Sequence, residues 1–372
     1  MLFNSYLEQS VMLIEPEIPR VFSNYENQIG QYSSSYWKSN KEWVIVGKII
    51  KNAFNYILVI KDKNNFYDIV EIKNAEKLTE NYAMSFDNRV ANNKKIGDKI
   101  KPGEIFYKSS SFDNNMNYRY GVNAKCVYLI ENNTIEDAIW CSESFAKKMK
   151  SYYMDEIEIS INNNDILLNL YGENNYKMFP DIGERTKEKI LAVRRRINYE
   201  YVLFDLQNEN LRRILQGDTI FYSEGIVIDI DIYCNQEKMK EVSYNTQIIY
   251  YLEKQKEYYE NIVKILKPII KSKKSTYSDD LAYTYRRAVD ILDPKVKWKN
   301  EKSDFDNIVI IFKVLRENQL RVGSKITGKY GDKGIISKIS PDEEMPITEY
   351  GERVECIFNA LGVVNRLIVQ PI

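Results

Sequence analysis

Histidine is absent from the 372 residues. That one absence removes Ser-His and Cys-His nucleophile pairs, imidazole metal ligands and imidazole general bases. Any catalysis must therefore use carboxylates, Lys, Arg, Tyr or a borrowed metal. Cysteine is scarce too: Cys126, Cys141, Cys234 and Cys356 form no C-x-x-C pair that would clamp zinc or cycle as a disulfide, and they read as reduced cytosolic thiols. Glycine and proline number only 15 and 9, below the usual shares of about 7% and 5%. Long apolar runs are missing as well. Stretches such as Ile308 to Phe312 fall far short of the roughly 18 residues that span a bilayer, and Met1 to Arg20 holds acids and prolines instead of a signal peptide. The expectation is a soluble, cytoplasmic protein with no membrane partner. Neither sign of charge dominates, because 53 Lys and Arg balance 53 Asp and Glu. Any nucleic-acid surface has to be a local patch.

What is present suggests two or three domains, at about 100 to 200 residues each. Tyr reaches 29 and Asn, Lys and Ile are abundant, a bias expected of an AT-rich genome. Strand-like runs occupy Trp43 to Ile50, Tyr56 to Ile60, Phe66 to Ile72 and Ala124 to Ile130, with turns at Gly97-Asp98 and Pro102-Gly103, so residues 43 to 140 read as mainly β. Ile226 to Ile232 ends by alternating Ile with Asp, which predicts a strand with one wet face. Ile248, Leu252, Tyr259, Ile262 and Leu266 recur at helical spacing between Thr246 and Lys267, where Pro268 is expected to end the helix. A second helix from Ser278 to Leu292 would complete an antiparallel hairpin. Another β-branched run covers Ile308 to Val314.

Residues 321 to 338 hold Arg321, Lys325, Lys329, Lys333 and Lys338 against Asp332 alone. Gly323 to Lys329 matches G-x-x-x-x-G-K of a phosphate-binding P-loop, but Tyr330 stands where Ser or Thr must hold magnesium, and Gly331 with Gly334 opposes the helix such a loop opens into. The spacing better suits a β-loop-β element whose two lysines, Lys325 and Lys333, project into one pocket facing phosphates. A solvated basic hairpin is the competing reading of the window alone.

From Gly323 the chain reads G-S-K-I-T-G-K-Y-G-D-K-G-I-I-S-K-I-S-P-D-E-E-M-P and, after a gap, F-N-A-L-G-V-V-N-R-L. This resembles the β subunit of multisubunit DNA-directed RNA polymerases, whose pattern runs G-D-K-x-x-G-R-H-G-N-K-G-x-I-S-K-I, E-D-M-P, N-P-L-G-V-P-S-R-M. Three further stretches follow in the family's order: Leu7 to Val11 with Glu17-Ile18-Pro19, similar to Q-R-Q-A-V and E-x-P; Ile96 to Glu104, similar to V-G-D-x-V-x-x-G-D; and Asn133 to Ile139, similar to Y-N-F-E-D-S-I. The resemblance covers only the C-terminal part of a normal β subunit, which together with the biased composition suggests a split subunit of the giant-bacteriophage kind. Motif positions diverge at Ser324, Lys329, Tyr330, Asp332 and Ile135.

By resemblance, Lys325 and Lys333 match lysines at the active centre beside the RNA 3′ end and phosphates, and Arg366 matches an arginine that contacts the incoming nucleotide's phosphates. Glu136 and Asp137 match an acidic pair beside the second catalytic magnesium. If they lay on a strand they would face opposite ways, so only one would approach the metal. Gln9, Lys329, Arg321 and Lys338 are expected to lie against nucleic acid, although Glu8 replaces an arginine of the Q-R-Q pattern. Leu211, Ile214 and Leu215, in a helical patch from Asn208 to Leu215, match a flap-tip helix that docks an initiation factor; a short helix packed on its own domain remains open.

The implied fold is mixed α/β and β-rich: half of a double-psi β-barrel active centre with an inserted flap and helical hairpin. Its expected parts are a leading segment 1–94, a first barrel part 95–150, a flap-like domain 151–235, a helical hairpin 236–300 and a second barrel part 301–372. The implied function is that of a nucleotidyltransferase subunit using Mg2+, inactive without partners. No N-A-D-F-D-G-D string occurs here, so the principal magnesium would sit on a β′-like subunit. An N-terminal β fragment, a promoter-specificity factor, DNA template, RNA transcript and NTPs complete the expected partners. A catalytically inactive nucleic-acid-binding or scaffold protein of polymerase descent is the alternative.

Overall fold

The computed structural model describes residues 2–5, 35–79, 82–110, 112, 114–116, 122–162, 165–196, 218–234, 246–293, 295, 299–300, 303–304, 308–328 and 333–362. They are dominated by strands, and the α-helices α1 (Arg89–Asn93), α2 (Glu143–Lys148), α3 (Thr246–Lys271) and α4 (Asp279–Leu292) lie among them. The chain divides into two compact units. One gathers Met1–Ser35, Ser109–Tyr152 and Glu317–Ile372; the other combines Tyr36–Lys108 with Tyr153–Arg316.

The second of these units contains a five-stranded sheet and the helical pair. Strand Trp43–Ile50 alternates buried and more exposed residues, as period-2 side-chain direction requires. Its neighbour Tyr56–Lys61 is buried at every position through Ile60, because both faces are covered. Tyr56, Leu58 and Ile60 pack with Trp43, Ile45 and Val70 on one side. Ile57 and Val59 pack with Ile262 and Leu266 of α3 and Leu281 and Ala288 of α4 on the other. A strand apolar on both faces is the signature of a central, sandwiched strand.

Helix α3 runs through Pro268 to Lys271, correcting the expected stop at Lys267. Proline inside a helix costs roughly 3 kcal/mol. Ile269 and Ile270 join the apolar cluster around Leu266, and burying aliphatic side chains yields about 1.5–3 kcal/mol each when complete, enough to carry the helix past the break. Ser278 caps α4 by accepting a hydrogen bond from the Leu281 N–H, and Asp279 and Asp280 occupy its first turn, where the helix dipole favours anions.

The strand Ile226–Tyr233 does not have the wet face its Ile/Asp alternation predicts. Asp229 is buried. Lys51 reaches Asp229 at 2.7 Å and Asp231 at 2.8 Å, while Asn52 donates to Asp229 at 2.9 Å. A carboxylate leaves water only with such compensation.

In the first unit, seven strands form one mixed sheet in the order Val122–Asn123, Leu2–Ser5, Lys325–Gly328, Lys333–Ser340, Ala138–Ser142, Cys356–Phe358, Cys126–Tyr128. Chain-distant segments become neighbours: Ala138–Ser142 runs parallel to Lys333–Ser340 and antiparallel to Cys356–Phe358. The expected strand from Ala124 to Ile130 shrinks to Cys126–Tyr128, and Leu129 and Ile130 continue as exposed loop. The apolar core here holds Ile139, Phe145, Ile326, Ile336 and Phe358, together with Cys141 and Cys356.

Candidate functional site

The Gly-Lys segment folds as an antiparallel hairpin, with Lys325 opposite Ile335 and Thr327 opposite Lys333. Directly opposed residues share a face of a sheet, and alternate residues return to it. Lys325, Lys333 and Ile335 therefore stand on one face and are exposed, whereas Ile326 and Ile336 are fully buried on the other. As diagonal neighbours the two lysines lie roughly 7–8 Å apart. They share an open face rather than an enclosed pocket. A strand through Lys325–Gly328 also ends the P-loop reading, which needs a helix opening at that point.

Arg321 to Ser324 make the turn that launches this hairpin. Gly323 has φ +88°, a left-handed conformation that favours glycine. The Gly323 N–H donates to the Ile336 carbonyl at 2.7 Å and the Ile336 N–H to the Ser324 carbonyl at 2.8 Å. Arg321 is exposed at the turn. Lys338 is half-buried, its Nζ 4.1 Å from the centre of the Trp140 ring and 3.6 Å from Glu344.

The acidic pair docks onto the same hairpin from a segment almost 200 residues upstream. The Ile335 N–H donates to the Asp137 carbonyl at 2.9 Å. Ser337 Oγ donates to the Ile139 carbonyl at 3.1 Å and also bonds the Asn133 carbonyl. Gly334 makes the approach feasible: a Cβ there would meet the Asp137 carbonyl oxygen at 2.7 Å and collide with Ile139 Cδ1. Glu136 and Asp137 do not lie on a strand, which corrects the opposite-faces expectation. They form a turn just before Ala138, with Glu136 at φ +55°, and both are exposed. Thr134 locks the preceding turn, its hydroxyl donating to the Glu131 carbonyl at 3.0 Å.

A third segment closes on this turn. The Leu361 N–H donates to Asn359 Oδ1 at 2.9 Å and the Gly362 N–H to the Asn359 carbonyl at 3.2 Å. A Cβ on Gly362 would sit 3.8 Å from the Glu136 carbonyl oxygen. The F-N-A-L-G segment thus reaches the acidic turn. Arg366 follows four residues later, outside the described residues, as are Gln9, Lys329 and the docking candidates Leu211, Ile214 and Leu215.

Two thiols beneath the site are unsuited to nucleophilic work. Burial pushes Cys141 up to about 12 and holds Cys356 well above the ordinary thiol range, so both stay protonated near neutrality. Among the described residues no three Cys, Asp or Glu side chains stand together as a metal cage. Glu136 and Asp137 are hard oxygen donors of the kind magnesium takes, but two adjacent acids make only part of a shell. Sequence reasoning overlooked Gly334 and Ser337 as the residues that seat the acidic turn. Their signal was present in the G-I-I-S run, where a glycine and a hydroxyl interrupt a β-branched strand.

The chain is also similar to known proteins. The profile of RNA polymerase Rpb2, domain 6, matches residues 53–372. The DNA-directed RNA polymerase subunit beta of Sorghum bicolor is 42% identical over 77 residues, 21% of this chain and 7% of that protein. The subunit beta of Eucalyptus globulus subsp. globulus is 39% identical over 79 residues, with the same two shares. That of Saponaria officinalis is 39% identical over 79 residues, 21% of this chain and 19% of that sequence. The aligned region is thus a small part of these curated relatives. Among the described residues no helix is long and apolar enough to cross a membrane. With the profile spanning residues 53–372, most of its length, the chain belongs to the RNA polymerase Rpb2 domain 6 family.

Proposed function

We propose that the Lys325/Lys333 face and the Glu136-Asp137 turn form the β-side wall of a nucleotidyl-transfer centre that a β′-like partner completes. The observation that supports this reading most is the hydrogen bond from the Ile335 N–H to the Asp137 carbonyl, which ties the acidic turn to the strand carrying Lys333. In the reaction the RNA 3′ hydroxyl attacks the α-phosphate of an NTP, a new phosphodiester bond forms, the bond to the β-phosphate breaks, and pyrophosphate leaves. Positioning and electrostatics govern phosphoryl transfer. Two ammonium groups on one face would hold the RNA 3′ end and phosphates and offset the charge that builds between them, and Arg366 would clamp the phosphates of the incoming nucleotide.

Magnesium, when bound, would neutralise phosphate charge, with its principal ligands on the partner. Glu136 and Asp137 would act at the rim of that site, through water or by orienting the phosphates. Gln9, Arg321, Lys329 and Lys338 would lie along template and transcript, and Leu211, Ile214 and Leu215 would dock an initiation factor. The biased composition and divergent motif positions favour a β subunit divided between genes, as in giant bacteriophages.

The test is reconstitution with partner subunits purified from the source cells, followed by Mg2+-dependent NTP incorporation. Lys325→Ala and Lys333→Ala should each slow elongation while leaving the complex intact. Normal elongation by both variants, or a chain that brings no polymerase partner with it, would reject the proposal and leave an inactive scaffold.

A further inference from the structure

Three of the four cysteines, from segments far apart in the chain, meet side by side in the seven-stranded sheet. Cys126 is the register partner of Cys356 where Cys126–Tyr128 runs parallel to Cys356–Phe358. Cys141 is the partner of Cys356 in the antiparallel pairing with Ala138–Ser142. Directly opposed residues share a face of a sheet, so the three thiols form a row across neighbouring strands with Cys356 in the middle. The Cys126 and Cys356 sulfurs lie close enough for a hydrogen bond between the thiols to help raise the pKa of Cys356. Neighbouring strands stand about 4.8 Å apart, inside the roughly 4.4–6.8 Å between Cα atoms that a disulfide bridges.

The surroundings of the three differ. Cys141 and Cys356 are fully buried in the apolar core with Ile139, Ile336 and Phe358, where a thiol serves as a small hydrophobe. Cys126 is only half-buried, on the strand that ends the sheet order beyond Cys356–Phe358. Packing accounts for the inner two thiols but not for the outer one. Val127 and Tyr128 beside it are of the β-branched and aromatic types that suit such a strand, whereas Cys126 adds only a 3.6 Å contact from its thiol to the Ala124 carbonyl.

We infer that Cys126 is an oxidation site and that Cys356 captures the oxidised sulfur as an intramolecular disulfide, with a hydroperoxide as oxidant. The Cys126 sulfur attacks the O–O bond, which breaks to leave a sulfenic acid and, from hydrogen peroxide, water. The Cys356 sulfur then forms the S–S bond while the S–O bond of the sulfenic acid breaks, and the hydroxyl departs as water with the Cys356 proton. Two thiols thus lose two electrons and two protons, and one peroxide becomes two waters. Burial keeps Cys356 protonated and away from free oxidant. Held against Cys126, it acts at an effective concentration that no free thiol reaches. The link ties the outermost strand to the strand that leads into Asn359. It needs neither lysine of the hairpin, so it does not rest on the nucleotidyl-transfer reading.

The test treats the reduced full chain with hydrogen peroxide under native conditions, then alkylates, digests and analyses the peptides by mass spectrometry without reductant. A Cys126–Cys356 linked peptide should appear, two of the four alkylatable thiols should be lost, and dithiothreitol should restore both. Cys126→Ser, at a half-buried position, should abolish the link and leave Cys356 alkylatable after unfolding. In Cys356→Ala a sulfenic-acid trap should label Cys126, and Cys234→Ala should change nothing. The linked chain should also unfold at a higher urea concentration than the reduced chain, a shift that Cys126→Ser loses. If Cys356→Ala does not fold, Cys126→Ser still decides the matter. The inference fails if Cys126 proceeds to sulfinic acid without linking, if two chains join through Cys126, or if the link forms only in urea. A Cys141–Cys356 link that forms as fast in Cys126→Ser would also overturn it, because the outer thiol would then not be where oxidation enters.

Discussion

Lys51 and Lys333 carry the same charge into opposite settings. Lys51 is enclosed between Asp229 and Asp231; burial works against its ammonium, but the two carboxylates outweigh it and hold its pKa above the ordinary lysine range. Burial in turn raises Asp229 above the usual carboxylate range, a push that Lys51 only partly opposes. Every donor and acceptor in that cluster serves the fold. Lys333 stands exposed on a sheet face beside Lys325, and its burial could be undone without loss because it has none. The difference separates a charge enclosed by the fold from one that the proposed function assigns to a ligand, and on that proposal the two sites fail differently when cut.

The largest expected effect is on the enclosed side. Lys51→Met leaves Asp229 buried without its cation, and removing one partner of a buried pair typically costs about 3–5 kcal/mol. Urea unfolding of the variant should show that loss. With Lys51 gone the Asp229 pKa rises further in the folded state, so the folded protein binds more protons than the unfolded chain. Stability then falls as pH rises through the folded pKa and returns as pH is lowered. A variant as stable at pH 8 as at pH 5 would show that Asp229 is not the group left exposed to the penalty.

On the open side the order reverses: activity falls and stability holds. Lys325→Ala or Lys333→Ala in the reconstituted polymerase should slow incorporation by about 10²–10³, the range for removing one transition-state charge partner. Unfolding midpoints should stay within about 0.5 kcal/mol of the parent, as for exposed substitutions. A matching loss of stability would place these lysines in the same class as Lys51.

Gly334→Ala joins the two behaviours. Its Cβ would collide with the Asp137 carbonyl and Ile139, and overpacking of this kind costs about 1–3 kcal/mol. The acidic turn must move away from the Lys333 strand to relieve it. Incorporation should drop together with stability, and Gly334→Ala with full activity would separate the acidic turn from the reaction.

Much of the second unit was legible because its strands repeat with period 2 and its helices with period 3.6. Trp43–Ile50 and Phe66–Ile72 have the limits their patterns suggest. The Lys51 cluster was illegible for a physical reason: its hydrogen bond to Asp229 spans 178 residues, and an Ile/Asp alternation looks identical whether water or a distant lysine meets the acids. The candidate site was legible through motif resemblance, and its geometry was not. Nothing local shows that Glu136 takes a left-handed turn or that Gly334 opens the space for it. Parallel pairing of Ala138–Ser142 with Lys333–Ser340 is a long-range contact, invisible to any window along the chain.

The smallest and most discriminating change is Ser337→Ala. Its hydroxyl reaches two carbonyls of the acidic segment, those of Asn133 and Ile139, and a hydrogen bond of this type contributes about 0.5–1.5 kcal/mol net. Loss of that order should leave the sheet intact, since the Ile335 N–H still holds the Asp137 carbonyl. The turn bearing Glu136 and Asp137 would be held at one point instead of two. If those carboxylates help position NTP phosphates, the apparent KM for NTP should rise several-fold while kcat changes little, and Ser337→Thr should restore it. If instead Ser337→Ala costs stability alone, the acidic turn is part of the scaffold, as Asp229 is, and the division between enclosed and open charge runs through the hairpin itself.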